Sequence, residues 1–197
     1  MDGQGGRLER MRAAVAALYE RNRQRGLAPW CGLEYDFVCP STGTYPFQWF
    51  WDSCFHAVAL SQVDVERARV ELRSLLANAQ PDGFVAHVTF WQRERFEALL
   101  STYSIAYRTP YLSECIQPPV LAEAVEAAAR GPGGAAFLAE VLPAVRRYFD
   151  WLHRVRDPDG DGLIATLQPD ESGLDHTPKY DAYLGIERVE HEDFRLA

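Results

Sequence analysis

Asp175 lies in the run Glu171-Ser172-Gly173-Leu174-Asp175-His176-Thr177-Pro178-Lys179-Tyr180-Asp181, after a glycine and ahead of a Thr-Pro turn. A carboxyl group that donates a proton at neutral pH needs a crowded, partly desolvated setting that raises its pKa. Asp170, Glu171 and Asp181 lie close by in sequence. In such a setting Asp175 would act as a general acid, protonating the oxygen of a leaving group. A residue of this type ahead of Thr177-Pro178 also fits a helix N-cap, and the local pattern leaves both readings open.

A second segment, Tyr45-Pro46-Phe47-Gln48-Trp49-Phe50-Trp51-Asp52-Ser53, is a dense aromatic run that meets an acid. Aromatic faces beside carboxylates suit a carbohydrate: a flat apolar wall for ring C–H groups, and acceptors for hydroxyls. Trp49 and Trp51 fit core packing as well. Asp52 weighs toward a site, because an acid among indoles needs polar partners. Gln117, just before Pro118-Pro119, caps a helix or offers its amide to a ligand. Phe90 and Trp91 form a second aromatic wall or part of the core. His56 and His87 read first as structural histidines. Asp157, Asp159, Asp161 and Gly162 match the opening of a calcium loop, but Gln168 stands where the closing bidentate glutamate belongs, so the segment reads as a polar turn.

Composition narrows the field. With 197 residues, 47% hydrophobic and 24% charged, the chain is long enough for one domain with a substantial core, residues 1–197. A net charge of −8 without a Lys/Arg cluster argues against nucleic acid or an anionic membrane as partner. No apolar run approaches the roughly 20 residues needed to span a bilayer. The N-terminal residues lack a basic region followed by an apolar one, so no secretory signal is expected. Cys31, Cys39, Cys54 and Cys115 form no C-x-x-C pair. Reduced thiols in a cytoplasmic protein are expected, with a Cys31–Cys39 bridge in an exported protein as the alternative.

The elements that must position these residues read as helices. Leu8, Met11, Val15 and Leu18 make one apolar stripe over residues 7–23. Residues 25–48 show no clear period and read as a long ordered loop. A short helix is expected over 51–60, then one capped by Asp64 with Val65, Ala68, Leu72, Leu75 and Leu76 buried. Gln80-Pro81-Asp82-Gly83 is a turn. A further helix enters at Pro118-Pro119 and breaks at Gly131-Pro132-Gly133-Gly134. In the last, Leu138, Val141, Val145, Tyr148 and Leu152 form the stripe, with Pro143 kinking the helix or marking its start. About five helices with almost no strand predict an all-α fold. Without a fixed repeat, a closed toroid of helical hairpins is favoured over a solenoid.

Three segments, in this order, give the chain a resemblance to a known family: Gln48-Trp49-Phe50-Trp51-Asp52-Ser53 with Phe55-His56-Ala57, then Gln117-Pro118-Pro119, then Glu171-Ser172-Gly173-Leu174-Asp175 with Thr177-Pro178. Gln80-Pro81-Asp82-Gly83-Phe84 also fits. The chain resembles the N-terminal part of the catalytic domain of glycoside hydrolase family 63, and is similar there to the mannosylglycerate and glucosylglycerate hydrolases. Trehalases and other (α/α)6-toroid glycosidases are similar at more distance. The resemblance implies an (α/α)6 toroid of which this chain supplies about the first half. It implies that Asp175 is the general acid. It places Tyr45, Trp49, Phe50, Trp51, Asp52, Phe90, Gln117 and Gly173 around the sugar pocket, and it implies no metal or organic cofactor. His176, Lys179 and Tyr180 depart from the residues commoner after the acid, where Arg-Trp is frequent.

The expected reaction is inverting hydrolysis of a small α-glucoside or α-mannoside. Inversion requires a second carboxylate about 6.5–9.5 Å from the acid, with a water between base and sugar. No carboxylate here is assigned as that base; Glu187, Glu190, Glu192 and Asp193 lie on the tail. A complementing second half, or self-association, is therefore expected. The rival readings are a trehalase-like hydrolase and a non-catalytic half-toroid that binds sugar or protein.

Overall fold

The computed structural model describes residues 2–92, 107–109, 111–174 and 177–181. Helix α1 spans Asp2–Arg21 and leads into an antiparallel hairpin, β1 Arg23–Ala28 and β2 Leu33–Val38, registered from Arg23 opposite Val38 to Ala28 opposite Leu33. The chain then runs through β3 Gln48–Trp49 into α2 Phe50–Leu60 and α3 Val65–Ala77. The short strands β4 Val88–Thr89, β5 Tyr107–Thr109 and β6 Leu112–Ser113 join β3 in an antiparallel sheet of order β3-β4-β6-β5. Two helices follow, α4 Leu121–Ala128 and α5 Gly134–Arg156, and then 3₁₀ turns at Pro169–Ser172 and Pro178–Tyr180.

The main core lies among α2, α3, α4 and α5, where Phe50, Ala57, Leu72, Leu75, Leu121, Phe137, Tyr148 and Leu152 are buried together. Asp64 caps α3 as the sequence predicts, its Oδ1 accepting from Glu66 N at 3.1 Å and Arg67 N at 3.2 Å. The Pro-Asp-Gly turn also forms. Gly83 N donates to Gln80 O at 2.9 Å, and Asp82 Oδ2 accepts from the Trp151 indole at 3.2 Å, tying the turn to α5. The C-terminus of α4 is held by the buried Arg69, which donates to Ala128 O at 2.9 Å and Arg130 O at 3.2 Å.

Several expectations are corrected. The fold is mainly helical, as expected, but it carries more strand than the sequence predicts, because residues 25–48, expected to form a loop, hold most of the β1–β2 hairpin. Leu33, Tyr35 and Phe37 alternate with Glu34 and Asp36, which is the period of a half-buried strand. Tyr35 and Phe37 pack with Ala28, Cys39 and Trp91 in a second apolar cluster. The stripe on α1 is not buried: Leu8, Met11 and Leu18 are 42%, 58% and 41% exposed. On α5, Phe137 rather than Leu138 enters the core. That helix starts at Gly134 and continues through Pro143 without interruption. The cysteines follow the main expectation rather than its alternative: all four are free, and Cys31 and Cys39 are not bridged. No helix among the described residues is long and apolar enough to cross a membrane.

Candidate functional site

The aromatic-acidic segment is displayed at the N-terminus of α2. Strand β3 runs straight into that helix, and Trp49 at the N-cap position contributes no side-chain cap. The orphan N–H groups of the first turn are met from elsewhere in the fold. Phe50 N donates to His87 O at 2.8 Å, and Trp51 N donates to Gln117 Oε1 at 3.0 Å. Gln117 is thus a cap, though of α2 rather than of the helix that follows it in sequence. It is buried.

Asp52 sits half-buried in this first turn. Loss of hydration raises its pKa, opposed by hydrogen bonds from its own backbone and from the Trp51 side chain. Trp51 and Trp49 are both half-buried. The Trp51 ring lies 5.8 Å from that of Phe55, and Trp49 meets Tyr45 at 6.0 Å and His87 at 5.2 Å, both edge-on. Tyr45 is 43% exposed. The N-terminus of α2 therefore carries the half-buried indoles of Trp49 and Trp51 together with Asp52, whose carboxyl has a raised pKa and bonds to the Trp51 side chain. Indole faces can stack on apolar C–H groups, and a carboxylate can accept hydrogen bonds from hydroxyls.

The Glu171-Ser172-Gly173 segment meets this surface directly. Its 3₁₀ turn ends at Gly173, whose φ is 67°, in the left-handed region. A Cβ at Gly173 would fall 2.3 Å from Cη2 of Trp51. The turn and the α2 indole are thus in close contact, so two of the segments singled out in the sequence converge in space. Gln117, from the third, caps the same turn of α2. Asp175 and His176 lie outside the described residues, as do Glu187, Glu190, Glu192 and Asp193. Leu174, next to Asp175 in the chain, is 55% exposed.

Glu171 is not a free carboxylate. It is buried in a two-pronged pair with Arg156, with Arg156 Nη1 donating to its Oε2 at 2.7 Å and Nη2 to its Oε1 at 2.6 Å. Ile116 N at 3.1 Å and Leu167 N at 2.6 Å donate to the same carboxylate.

Phe50 and Phe90 do not line a surface. Phe50 packs against Tyr148 at 5.2 Å inside the main core. Phe90 is enclosed with Phe47, Val88 and Tyr111. Trp91 is also core, and its indole donates to Gln48 Oε1 at 2.7 Å. Both histidines are structural. His87 is buried, with Nδ1 2.6 Å from Ser113 Oγ, and half-buried His56 meets Tyr19 at 5.0 Å. Burial lowers the pKa of each to about 4, so both are neutral at pH 7. In the acidic loop, one oxygen from each of Asp157, Asp159 and Asp161 lies within 4.8 Å of the others. Asp157 Oδ2 accepts from Gly162 N at 3.2 Å and Asp161 Oδ1 from Leu163 N at 2.8 Å, which is the bonding of a polar turn.

Sequence reasoning missed a buried chain of polar groups beneath α2. Gln48 Nε2 donates to Ser53 Oγ at 3.2 Å, Ser53 Oγ donates to Glu71 Oε1 at 2.5 Å, and Val38 N donates to Glu71 Oε2 at 2.7 Å. Burial pushes the Glu71 carboxyl up to about 8. The one available signal was Gln48 itself, an amide within an aromatic run, which requires partners once buried.

Residues 45–195 match the family model described as the mannosylglycerate hydrolase MGH1-like glycoside hydrolase domain. Over 165 residues the chain is 36% identical to a mannosylglycerate hydrolase of Thermus thermophilus, covering 79% of this chain and 39% of that protein. It is 33% identical over 159 residues to the glucosylglycerate hydrolase of Mycolicibacterium hassiacum, covering 72% and 36% respectively. A crystal structure of the GH63 mannosylglycerate hydrolase from Thermus thermophilus, in complex with Tris and D-glycerate, matches with a TM-score of 0.73 at 31% identity. That match covers 91% of this chain and 42% of the crystallised one. The chain therefore spans less than half the length of these relatives.

Proposed function

Because the chain belongs to the mannosylglycerate hydrolase MGH1-like glycoside hydrolase family, we propose that it carries the acid side of an inverting glycosidase. Its substrate is a small α-linked glucoside or mannoside of the glucosylglycerate or mannosylglycerate type. The observation that carries this reading is the contact of Trp51 with Gly173, which brings the aromatic-acidic turn of α2 against the segment leading into Asp175. Asp175 is the general acid in this proposal, protonating the glycosidic oxygen as the bond to the anomeric carbon breaks. Asp52 accepts hydrogen bonds from sugar hydroxyls, Trp51 and Trp49 supply the apolar wall, and Tyr45 lies at the rim. A glutamate outside this chain activates water on the opposite face of the sugar, giving inversion.

The relatives' greater length supports a partition of the machinery, with the base beyond the stretch matched here. The exposed apolar residues of α1 fit a surface covered by the remainder of such a toroid.

The test is hydrolysis of glucosylglycerate, mannosylglycerate and trehalose, with anomeric configuration followed by NMR. It is run on the chain alone and fused to the C-terminal portion of a relative. Activity with inversion in the fused protein, abolished on natural glycosides by Asp175→Asn but largely spared on an activated aryl glycoside, supports the proposal. Equal loss on both substrates, or retention of configuration, refutes it.

A further inference from the structure

The Glu171–Arg156 pair ties together the segments that build the candidate site. The Glu171 carboxylate accepts four hydrogen bonds, which fills its acceptor capacity. Arg156 ends α5, and its guanidinium stands 5.8 Å over the Trp151 ring. Both side chains are nearly inaccessible, at 5% for Arg156 and 2% for Glu171. A buried ion pair is weak evidence for stability, since well-packed apolar groups often do as well. Its distinguishing property is geometric, because a two-pronged guanidinium–carboxylate pair admits one orientation.

Here that orientation closes a ring of contacts. Glu171 holds Ile116 N. The next residue, Gln117, caps α2 at Trp51. The Trp51 indole lies on Gly173, and Gly173 is two residues from Glu171. Three chain segments distant in sequence are thereby registered against one another, and the buried ion pair anchors the ring to the end of α5.

Resting on the glycosidase reading above, we infer that Glu171 is a positioning residue. Clamped by Arg156, it sets the Gly173 turn and the Gln117 cap against Trp51, and so fixes the approach of the segment entering Asp175. It neither donates nor accepts a proton in the reaction.

The test uses Glu171→Gln, Glu171→Asp and the double variant Arg156→Met/Glu171→Met. Each is made in the chain and in the fusion that hydrolyses mannosylglycerate. Trp51 is followed by ¹⁹F NMR of the 5-fluorotryptophan-labelled chain, assigned with Trp51→Phe. Expected in Glu171→Gln and in the double variant is a Trp51 resonance shifted or split beyond its linewidth, with Trp30 unmoved. In the fusion, kcat falls at least ~10-fold while KM changes less than ~3-fold, and Glu171→Asp recovers part of kcat. An unmoved Trp51 resonance overturns the inference, as does a loss of activity that only tracks the unfolded fraction. So does failure of all three variants to melt cooperatively, which would make the pair a determinant of folding alone. If the parent fusion hydrolyses none of the glycosides, the glycosidase reading fails and the ¹⁹F result alone decides the positioning role.

Discussion

The indole of Trp51 occupies the space a side chain at Gly173 would need: a Cβ there would lie 2.3 Å from Cη2 and 2.7 Å from Cζ2 and Cζ3. Position 173 is thus glycine for two separate reasons, since its φ of 67° also disfavours an L side chain. Gly173→Ala should lose about 1–3 kcal/mol from backbone strain and more from the overlap. In a Trp51→Ala background only the strain remains, so a double-mutant cycle by urea unfolding should show strong coupling. Additive losses would mean the two segments do not press on each other.

Gln117 supplies from a distance what a serine or aspartate at the N-cap would supply locally. Gln117→Ala should cost about 0.5–2 kcal/mol, the ordinary range for a lost cap, read as a lower denaturant midpoint at unchanged m-value. Gln117→Glu keeps an acceptor and places negative charge at a helix N-terminus, so it should retain most of the stability. A glutamate variant as weak as the alanine one would remove the capping role.

Gly83 and Gly43 make a contrasting pair. Gly83 has φ 103°, and a Cβ there would fall 2.1 Å from the Arg147 carbonyl oxygen, whereas nothing lies within 4 Å of a Cβ at Gly43. Gly83→Ala should lose more than about 3 kcal/mol, because the overlap is with backbone that cannot swing aside. Gly43→Ala should stay within about 0.5 kcal/mol. Thermal melting of the two variants side by side checks the difference.

The buried titratable groups predict a stability profile with two opposed limbs. Native His56 and His87 have pKa values near 4, below the ordinary 6.5. Between those values the unfolded chain binds protons the native state refuses, so this contribution is lost as pH falls from 6.5 to 4. Glu71 has the opposite sign. Its native pKa of about 8 lies above the ordinary 4.5, so the native state holds the extra proton and stability declines as pH rises from 4.5 to 8. The limbs oppose each other up to pH 6.5, and from there to 8 the Glu71 decline stands clear of the histidines. Urea unfolding across pH ~4–9 should show that decline, and Glu71→Gln should flatten it. A profile unchanged in the variant would show that Glu71 titrates normally.

The features legible in the chain were the local ones. Asp64 was readable as a cap because its acceptors serve N–H groups two and three residues on. The Gln80–Gly83 turn was readable for the same reason, and the helices because three- and four-residue spacing repeats within each. The β1–β2 hairpin was also written in the chain, in the alternation of Leu33, Tyr35 and Phe37 with Glu34 and Asp36, but proline, glycine and aromatics around it broke the period. The motif order made the family resemblance readable and grouped Trp51, Gly173 and Gln117 before any contact was known. Their individual tasks came from packing. Phe50 and Phe90 are aromatic like the tryptophans beside them, and burial is what separates a core ring from an exposed one. Gln117 finds its donor 66 residues away and Glu171 one of its donors 55 away. Such pairings leave no periodic trace in the chain, because they depend on where whole helices come to rest. For that reason the family could be read from the motifs, while the Glu171–Arg156 pair that ties the segments together could not.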